Sequence, residues 1–356
     1  MSLDEGVNIL CGRNAQGKTN LIEAVWICSG CRSFRSTRDK AFVGFDAQRA
    51  SVTVDFSDSR RQQSISFSVE KNAPKERKIT LNGVKLPLLS KLFGSLKCVV
   101  FTPEDLELSK GSPDNRRSFL DLSISQIKPS YLAAINRYNS ILYQRNAFLK
   151  YAQTRKQDNS QLDIWDEQLA SAGAYISVLR YNYAVKLGSF TSGLYDVISG
   201  GSERLSLDYH STVYKDGISL SELTDEHRKI FLEALRFHAE ADIRAGFTTC
   251  GVHRDDLITR IDGLNSREYG SQGQSRSIAL ILKLAQARIL AEETGEAPVI
   301  LLDDVMSELD SSRQSFILNS IQNMQLIITT CDAASVLRLK NGRVFGVEKG
   351  RITQNV

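Results

Sequence analysis

The spacing of apolar positions changes several times along the chain, and each change predicts an element. Residues 6–11 read as a short strand ending in Ile9, Leu10 and Cys11, and an amphipathic helix follows from Lys18 to Cys28. Residues 51–56, 64–69 and 79–84 alternate apolar with polar side chains at period two, as half-buried antiparallel strands do, and the polar stretch 71–78 links two of them. Residues 97–101 are an apolar run closed by Pro103, the pattern of a buried strand. From Ser130 the period becomes helical, with Leu132, Ile135, Tyr138, Ile141, Leu142, Phe148 and Leu149 on one face. After a polar link at 153–161 a second helical pattern runs through Trp165, Leu169, Ile176, Leu179, Leu187 and Leu194. Together they predict an antiparallel helical hairpin with arms of roughly 40–50 Å, far too short for a long coiled coil.

A strand segment at 204–213 and a helix at 221–244 come next. The last third then alternates helix (278–292), strand (299–302), helix (312–323) and strand (326–330), in α/β style. The expectation is an α/β core assembled from both ends of the chain, 1–104 and 246–356, with a helical lobe, 105–245, inserted between them.

Composition narrows the class without deciding it. The chain has 356 residues, 42% hydrophobic and 24% charged, which suits a globular protein of two lobes. A net charge of +4 is compatible with nucleic acid and does not require it. The sequence has no run long enough to span a membrane and no secretory pattern at Met1–Gly6, so a cytoplasmic protein without a membrane partner is expected. The six cysteines are scattered and read as reduced thiols. Cys28 and Cys31 have C-x-x-C spacing but no further ligand pair at a zinc-site spacing, so they read as small apolar fillers.

The chemistry is concentrated in four segments. Gly12-Arg13-Asn14-Ala15-Gln16-Gly17-Lys18-Thr19 matches G-x-x-x-x-G-K-[ST], and it follows a strand and opens a helix. Its glycines let backbone N–H groups close around phosphates, Lys18 would neutralise the β- and γ-phosphates, and the Thr19 hydroxyl would bind Mg²⁺. The expected ATP-binding set is Gly12 to Thr19 with Asn20. The apolar strand residues 299–302 lead directly into Asp303 and Asp304. The first would hold Mg²⁺ and the second would polarise the attacking water, which with Lys18 makes the catalytic pair; the alternative is a helix cap. Ser271-Gln272-Gly273-Gln274 precedes an apolar helix, a start that an ordinary serine cap would also give. Ser307-Glu308-Leu309-Asp310 follows the second acid.

In this order the segments resemble an ABC-type ATPase head: P-loop, signature (Ser271 to Gln274) presented in trans to the nucleotide of a second copy, paired acids, and D-loop (Ser307 to Asp310). The resemblance sharpens to the RecF family on residues 14–21, 101–106, 116–121, 253–257, 271–274 and 302–305, and covers essentially the whole chain. It implies an α/β head with an antiparallel β-segment and an inserted helical lobe. It also implies slow, DNA-stimulated ATP hydrolysis with Mg²⁺, and an ATP-dependent homodimer. The expected partners are double- and single-stranded DNA at gaps and junctions, with RecO, RecR and RecA.

Three features depart from that pattern. A strand and loop usual before the position of Gly6 is not seen, so adenine contacts stay unassigned. Thr329-Thr330-Cys331-Asp332 carries no switch histidine, and only Glu104 or Asp105 stands where transporters have a Mg²⁺-sensing glutamine. For DNA the candidates are Arg32, Arg35 and Arg38 with Lys40, and on the inserted lobe Arg116, Arg117, Arg137 and Arg145; each is also readable as a solvated helix face. His253 reads as a lobe contact, without a partner at ligand spacing.

Rival functions fit less well. A transporter subunit carries its signature much closer to the P-loop than the roughly 260 residues that separate Gly12 from Ser271 here. A chromosome-organising ATPase needs long coiled coils, and a small-molecule kinase has no use for a signature or D-loop.

Overall fold

The computed structural model describes residues 1–35, 39–72, 77–154, 161–215, 218–338 and 340–354. In chain order the first elements are β1 (Val7–Cys11), α1 (Lys18–Cys28), β2 (Arg49–Ser57), β3 (Gln62–Glu70), β4 (Lys78–Leu81), β5 (Val84–Leu86) and β6 (Cys98–Phe101). The middle holds α2 (Glu107–Lys110), α3 (Pro113–Ile127), α4 (Pro129–Thr154), α5 (Leu162–Ser199), β7 (Leu205–His210), α6 (Asp225–Ala245), β8 (Asp256–Ile261), β9 (Leu264–Asn265), α7 (Ser266–Tyr269) and α8 (Gln272–Thr294). The chain then continues through β10 (Val299–Asp303), α9 (Ser311–Ser320), β11 (Leu326–Thr330), α10 (Ala333–Leu337), β12 (Arg343–Glu348) and β13 (Arg351–Gln354).

These elements form two compact units. The first is Met1–Asp105 with Leu280–Val356, and the second is Leu106–Ala279. The mixed α/β fold with an inserted helical lobe is the one the sequence predicts, but the second division falls inside α8, well beyond residue 245. The reason is pairing. β8 lies antiparallel to β7, Leu205 opposite Ile261 and His210 opposite Asp256, which ties residues 256–261 to the helical unit.

In the first unit a six-stranded sheet runs in the order β13-β12-β1-β11-β10-β6. β1 is parallel to both β11 and β12, and β10 is parallel to both β11 and β6; only β13 turns back antiparallel. Parallel strands covered on both faces read as continuous apolar runs. Ile9, Leu10, Ile300, Leu301, Leu302 and Ile328 accordingly have no solvent exposure. Because the strands are parallel, the loops after β1, β10 and β11 leave the same edge of the sheet, where ligands of such folds collect. A separate antiparallel sheet, β2-β3-β4-β5, accounts for the period-two segments. What alternation suggests as one strand at 79–84 is a hairpin: Asn82 and Gly83 both take positive φ, 52° and 80°, the Asn-Gly tight turn.

In the second unit α4 (26 residues) and α5 (38 residues) are the helical hairpin. α6 starts later than the periodicity suggests, after Thr224, whose side chain closes a capping box with His227. α8 starts earlier, at Gln272. Among the described residues no helix is long and apolar enough to cross a membrane.

Candidate nucleotide-binding site

The loop between β1 and α1 is shaped by its glycines and held by the neighbouring strands. Gly12 donates its N–H to Thr330 O at 3.3 Å, and a Cβ at this position would stand 2.3 Å from Val347 O, so only glycine fits between β1 and β12. Gly17 takes φ 99° just before α1, and Ala15 is also left-handed at φ 62°. Lys18, only 6% exposed, turns its ammonium back along the loop and donates to Gly12 O at 2.5 Å and Arg13 O at 3.1 Å. It also reaches Cys331 Sγ at 3.4 Å. Arg13, Asn14 and Ala15 at the loop apex are exposed, as is Asn20 on α1.

The paired acids arrive at the same edge on β10. The Thr19 hydroxyl donates to Asp303 Oδ1 at 3.0 Å, and the Thr329 hydroxyl donates to the same oxygen at 2.8 Å. Asp303 is buried, and burial holds its carboxyl above the usual carboxylate range, against the two hydroxyl bonds that pull it down. Asp304 sits at φ 54°, a left-handed conformation that costs a non-glycine residue and that gathers at functional turns. Its N–H donates to Thr329 Oγ1 at 2.9 Å, so one threonine aligns both acids. Ser307 Oγ lies 2.7 Å from Asp304 O and 3.2 Å from its Oδ1. Asp310 accepts from Arg313 N–H at 3.0 Å and from Ser312 Oγ at 2.6 Å, capping α9 and fixing the end of the 307–310 segment.

The chain's last strands brace the loop. Lys349 N–H donates to Gln16 Oε1 at 2.6 Å, and Gly350 N–H donates to Gln16 O at 3.0 Å. Lys349 and Gly350, at φ 49° and 75°, form the tight turn between β12 and β13. Neither strand is marked by the periodicity read along the sequence, although a basic and glycine pair in a short apolar stretch was a usable turn signal. Asp105, one of two candidates for the place of the glutamine, spends its carboxylate on Lys283 Nζ at 3.3 Å and on Thr102 N–H at 2.7 Å, whereas Glu104 is exposed.

Residues 1–353 match the model of the RecF/RecN/SMC N-terminal domain family. The DNA replication and repair protein RecF of Bacillus subtilis (strain 168) is 38% identical, with 99% of this chain and 95% of that protein covered. RecF of Alkaliphilus oremlandii (strain OhILAs) is 37% identical over 97% and 93%. The chain belongs to the RecF family. A solved structure of the recombination mediator protein RecF with ATP, in the RecFOR pathway, superposes with a TM-score of 0.90 at 36% identity, covering 100% of this chain and 93% of that one. An SMC head bound to the C-terminal winged-helix domain of ScpA (TM-score 0.52, 14% identity) shares the fold alone.

Ser271 to Gln274, the segment that resembles a signature, lies in the second unit. Ser271 N–H donates to Gln274 Oε1 at 2.7 Å, and Gln274 N–H donates to Ser271 Oγ at 3.1 Å, a reciprocal capping box that starts α8. Gln274 Nε2 also donates to Glu203 Oε1 at 2.8 Å. Ser271 and Gln272 remain exposed, while Gly273 and Gln274 are half-buried.

The arginine candidates separate into two kinds. Arg32 and Arg35 are exposed after α1, with Arg35 donating to Asn20 Oδ1 at 2.7 Å; Arg38 and the Lys40 side chain lie outside the described residues. Arg116 is not a surface group. It is buried, holds Asp256 in a two-pronged pair at 2.7 and 2.8 Å, and donates to Gly111 O at 2.9 Å, which leaves no face for a phosphate. Arg145 is likewise buried, between Asp166 at 2.7 Å and Asp242 at 2.6 Å. Arg117 is half-buried and donates to Asp255 O at 2.6 Å; Arg137 is exposed. His253 is a contact within the helical unit, taking the Tyr138 hydroxyl on Nδ1 at 2.9 Å and Thr248 O on Nε2 at 3.0 Å. Cys28 and Cys31 are buried, and burial pushes both thiols up to about 12.

Proposed function

We propose that this chain is an ATP-dependent DNA-binding protein of recombinational repair that closes as a homodimer on ATP and opens after slow hydrolysis. The observation that carries the reading is the meeting of Thr19, Asp303 and Thr329 beside a buried Lys18. This is a hard-oxygen pair and an ammonium at the mouth of a glycine loop, the arrangement needed by a triphosphate with its divalent cation. Among the described residues no group of three or more His, Cys, Asp or Glu could hold a metal alone, which suits an ion that arrives with phosphates. Thr19 and Asp303 would hold Mg²⁺, which supplies charge neutralisation across the β- and γ-phosphates. Lys18 exchanges its loop carbonyls for phosphate oxygens. Asp304 accepts the proton of the attacking water, and its short side chain suits slow turnover. Ser271 to Gln274, on an exposed helix start, would close on the nucleotide of the second copy, with residues 307–310 beside it. DNA gaps and junctions, RecO, RecR and RecA are the partners proposed, supported by membership of the family and by the RecFOR setting of the ATP-bound relative.

The test is a mixing experiment. Lys18→Met should lose tight ATP binding and ATP-induced dimers in light scattering. Ser271→Arg should bind ATP as a monomer but fail to dimerise or hydrolyse. The mixture should regain at most one competent site, and hydrolysis by the native chain should rise with gapped DNA. Normal ATP-dependent dimers from Lys18→Met would sink the reading. DNA-independent hydrolysis would favour a different SMC-like or transport complex.

A further inference from the structure

Of six cysteines, Cys331 is the exposed one; Cys11 is half-buried and the other four are buried. It stands one residue past β11, opposite the loop that follows β1, because Cys11 and Thr330 are register partners. Its Sγ donates to Asn14 Oδ1 at 3.0 Å and accepts from Lys18 Nζ at 3.4 Å. A thiol has one proton and spare lone pairs, so it can serve both partners at once. The other contacts of the Lys18 ammonium are Gly12 O and Arg13 O, which belong to the same loop. Cys331 is therefore the contact that refers both the loop apex and its lysine to a different strand of the sheet. Asn14 also precedes the left-handed Ala15, a turn that a tether at the apex would steady.

We propose that Cys331 is a positioning residue of the ATP site. It holds Asn14 and Lys18 in the placement from which both turn to the phosphates, and it acts through Lys18 rather than on the reacting atoms. The inference rests on the ATP-site reading given above and adds a residue to it. Its chemistry makes a distinction that bulk packing would not. Serine keeps a donor and an acceptor at this position, and alanine keeps neither.

The full chain carrying Cys331→Ala, Cys331→Ser or Lys18→Met would be titrated with Mg²⁺-ATP by calorimetry, followed by steady-state hydrolysis. Cys331→Ala should weaken ATP binding and raise KM about 3- to 10-fold, the range for one ordinary hydrogen bond, with kcat changed less than about 2-fold. Cys331→Ser should stay within about 2-fold of the native chain. The nucleotide-free melting temperature of both should move by no more than about 2 °C. A second measurement needs no variant. Iodoacetamide should modify Cys331 first, as read by peptide mass, and saturating Mg²⁺-ATP should slow that modification several-fold. Native ATP affinity in Cys331→Ala, or alkylation of Cys331 unaffected by ATP, overturns the proposal. If Lys18→Met fails to bind while Cys331→Ala binds normally, only this inference falls. If Lys18→Met itself binds normally, the ATP-site reading falls instead.

Discussion

Lys18 and Arg145 are both buried cations, one in each unit, and they are held in opposite ways. Arg145 has zero exposure and is clamped between Asp166 and Asp242, with Thr248 Oγ1 at 2.8 Å on the same nitrogen as Asp242. Lys18 rests on two main-chain carbonyls and a thiol. The acids repeat the contrast: half-buried Asp121 grips the buried Arg180 at 2.8 Å, whereas buried Asp303 accepts from two hydroxyls. Opposite charges at such distances in a dry interior do not exchange partners readily. Neutral dipoles give way to a stronger ligand. Burial thus locks Arg145 and Arg180 in the helical unit, and Lys283 with Asp105 in the α/β unit, whereas Lys18 and Asp303 are buried with neutral partners that a stronger ligand displaces.

If this contrast is right, the largest loss of stability should come from the locked side. Arg145→Met leaves Asp166 and Asp242 buried without their counter-charge and should cost about 3–5 kcal/mol in urea unfolding. A cost below about 1 kcal/mol would erase the distinction between the Arg145 and Lys18 sites.

A smaller effect should appear with acid. Burial lowers His253 to about 4 from its ordinary value of 6.5, and the neutral ring satisfies both nitrogens, accepting from Tyr138 and donating to Thr248 O. The unfolded chain takes up the proton first as pH falls. The stability this group contributes is therefore complete above about pH 6.5 and is lost on the way down to about pH 4, in total about 3 kcal/mol. Denaturant midpoints measured across that window should fall, and His253→Gln should flatten the slope.

The smallest change in stability should come from the exchangeable side. Asp303→Asn removes a buried charge whose hydrogen-bond partners are two hydroxyls, so the nucleotide-free chain should keep its stability or gain up to about 1 kcal/mol. Its thermal upshift in Mg²⁺-ATP should vanish, as read by melting curves with and without nucleotide. A destabilisation as large as that of Arg145→Met would mean that Asp303 is locked as well.

The features legible in the sequence are those whose parts are neighbours in it. Gly12 to Thr19 is contiguous, its strand and helix adjoin it, and the apolar run before Asp303 marks a buried strand; from these the α/β core and its inserted lobe follow. Elements made by distant partners were not legible. Thr329 aligns Asp303 and Asp304 from the next strand of the sheet, and Gln16 meets Lys349 only after the sheet has formed. Arg116 looked like a surface charge because its helix gives no hint of Asp256, 140 residues away. The late end of the helical unit was hidden for the same reason, since the pairing of β7 with β8 spans all of α6. In the signature, Ser271 and Gln274 carried a capping-box spacing that would have moved the start of α8 to its true position.

The discontinuous α/β unit has a consequence for biogenesis. Its P-loop is made some 300 residues before β10, β11 and the turn at Lys349–Gly350 that complete it. At roughly 5–20 residues per second that interval is about 15–60 s. The helical unit, continuous from Leu106 to Ala279, emerges whole within it. A nascent chain on the ribosome can therefore fold its helical unit while its nucleotide site does not yet exist, and truncated products of translation would lack the site altogether.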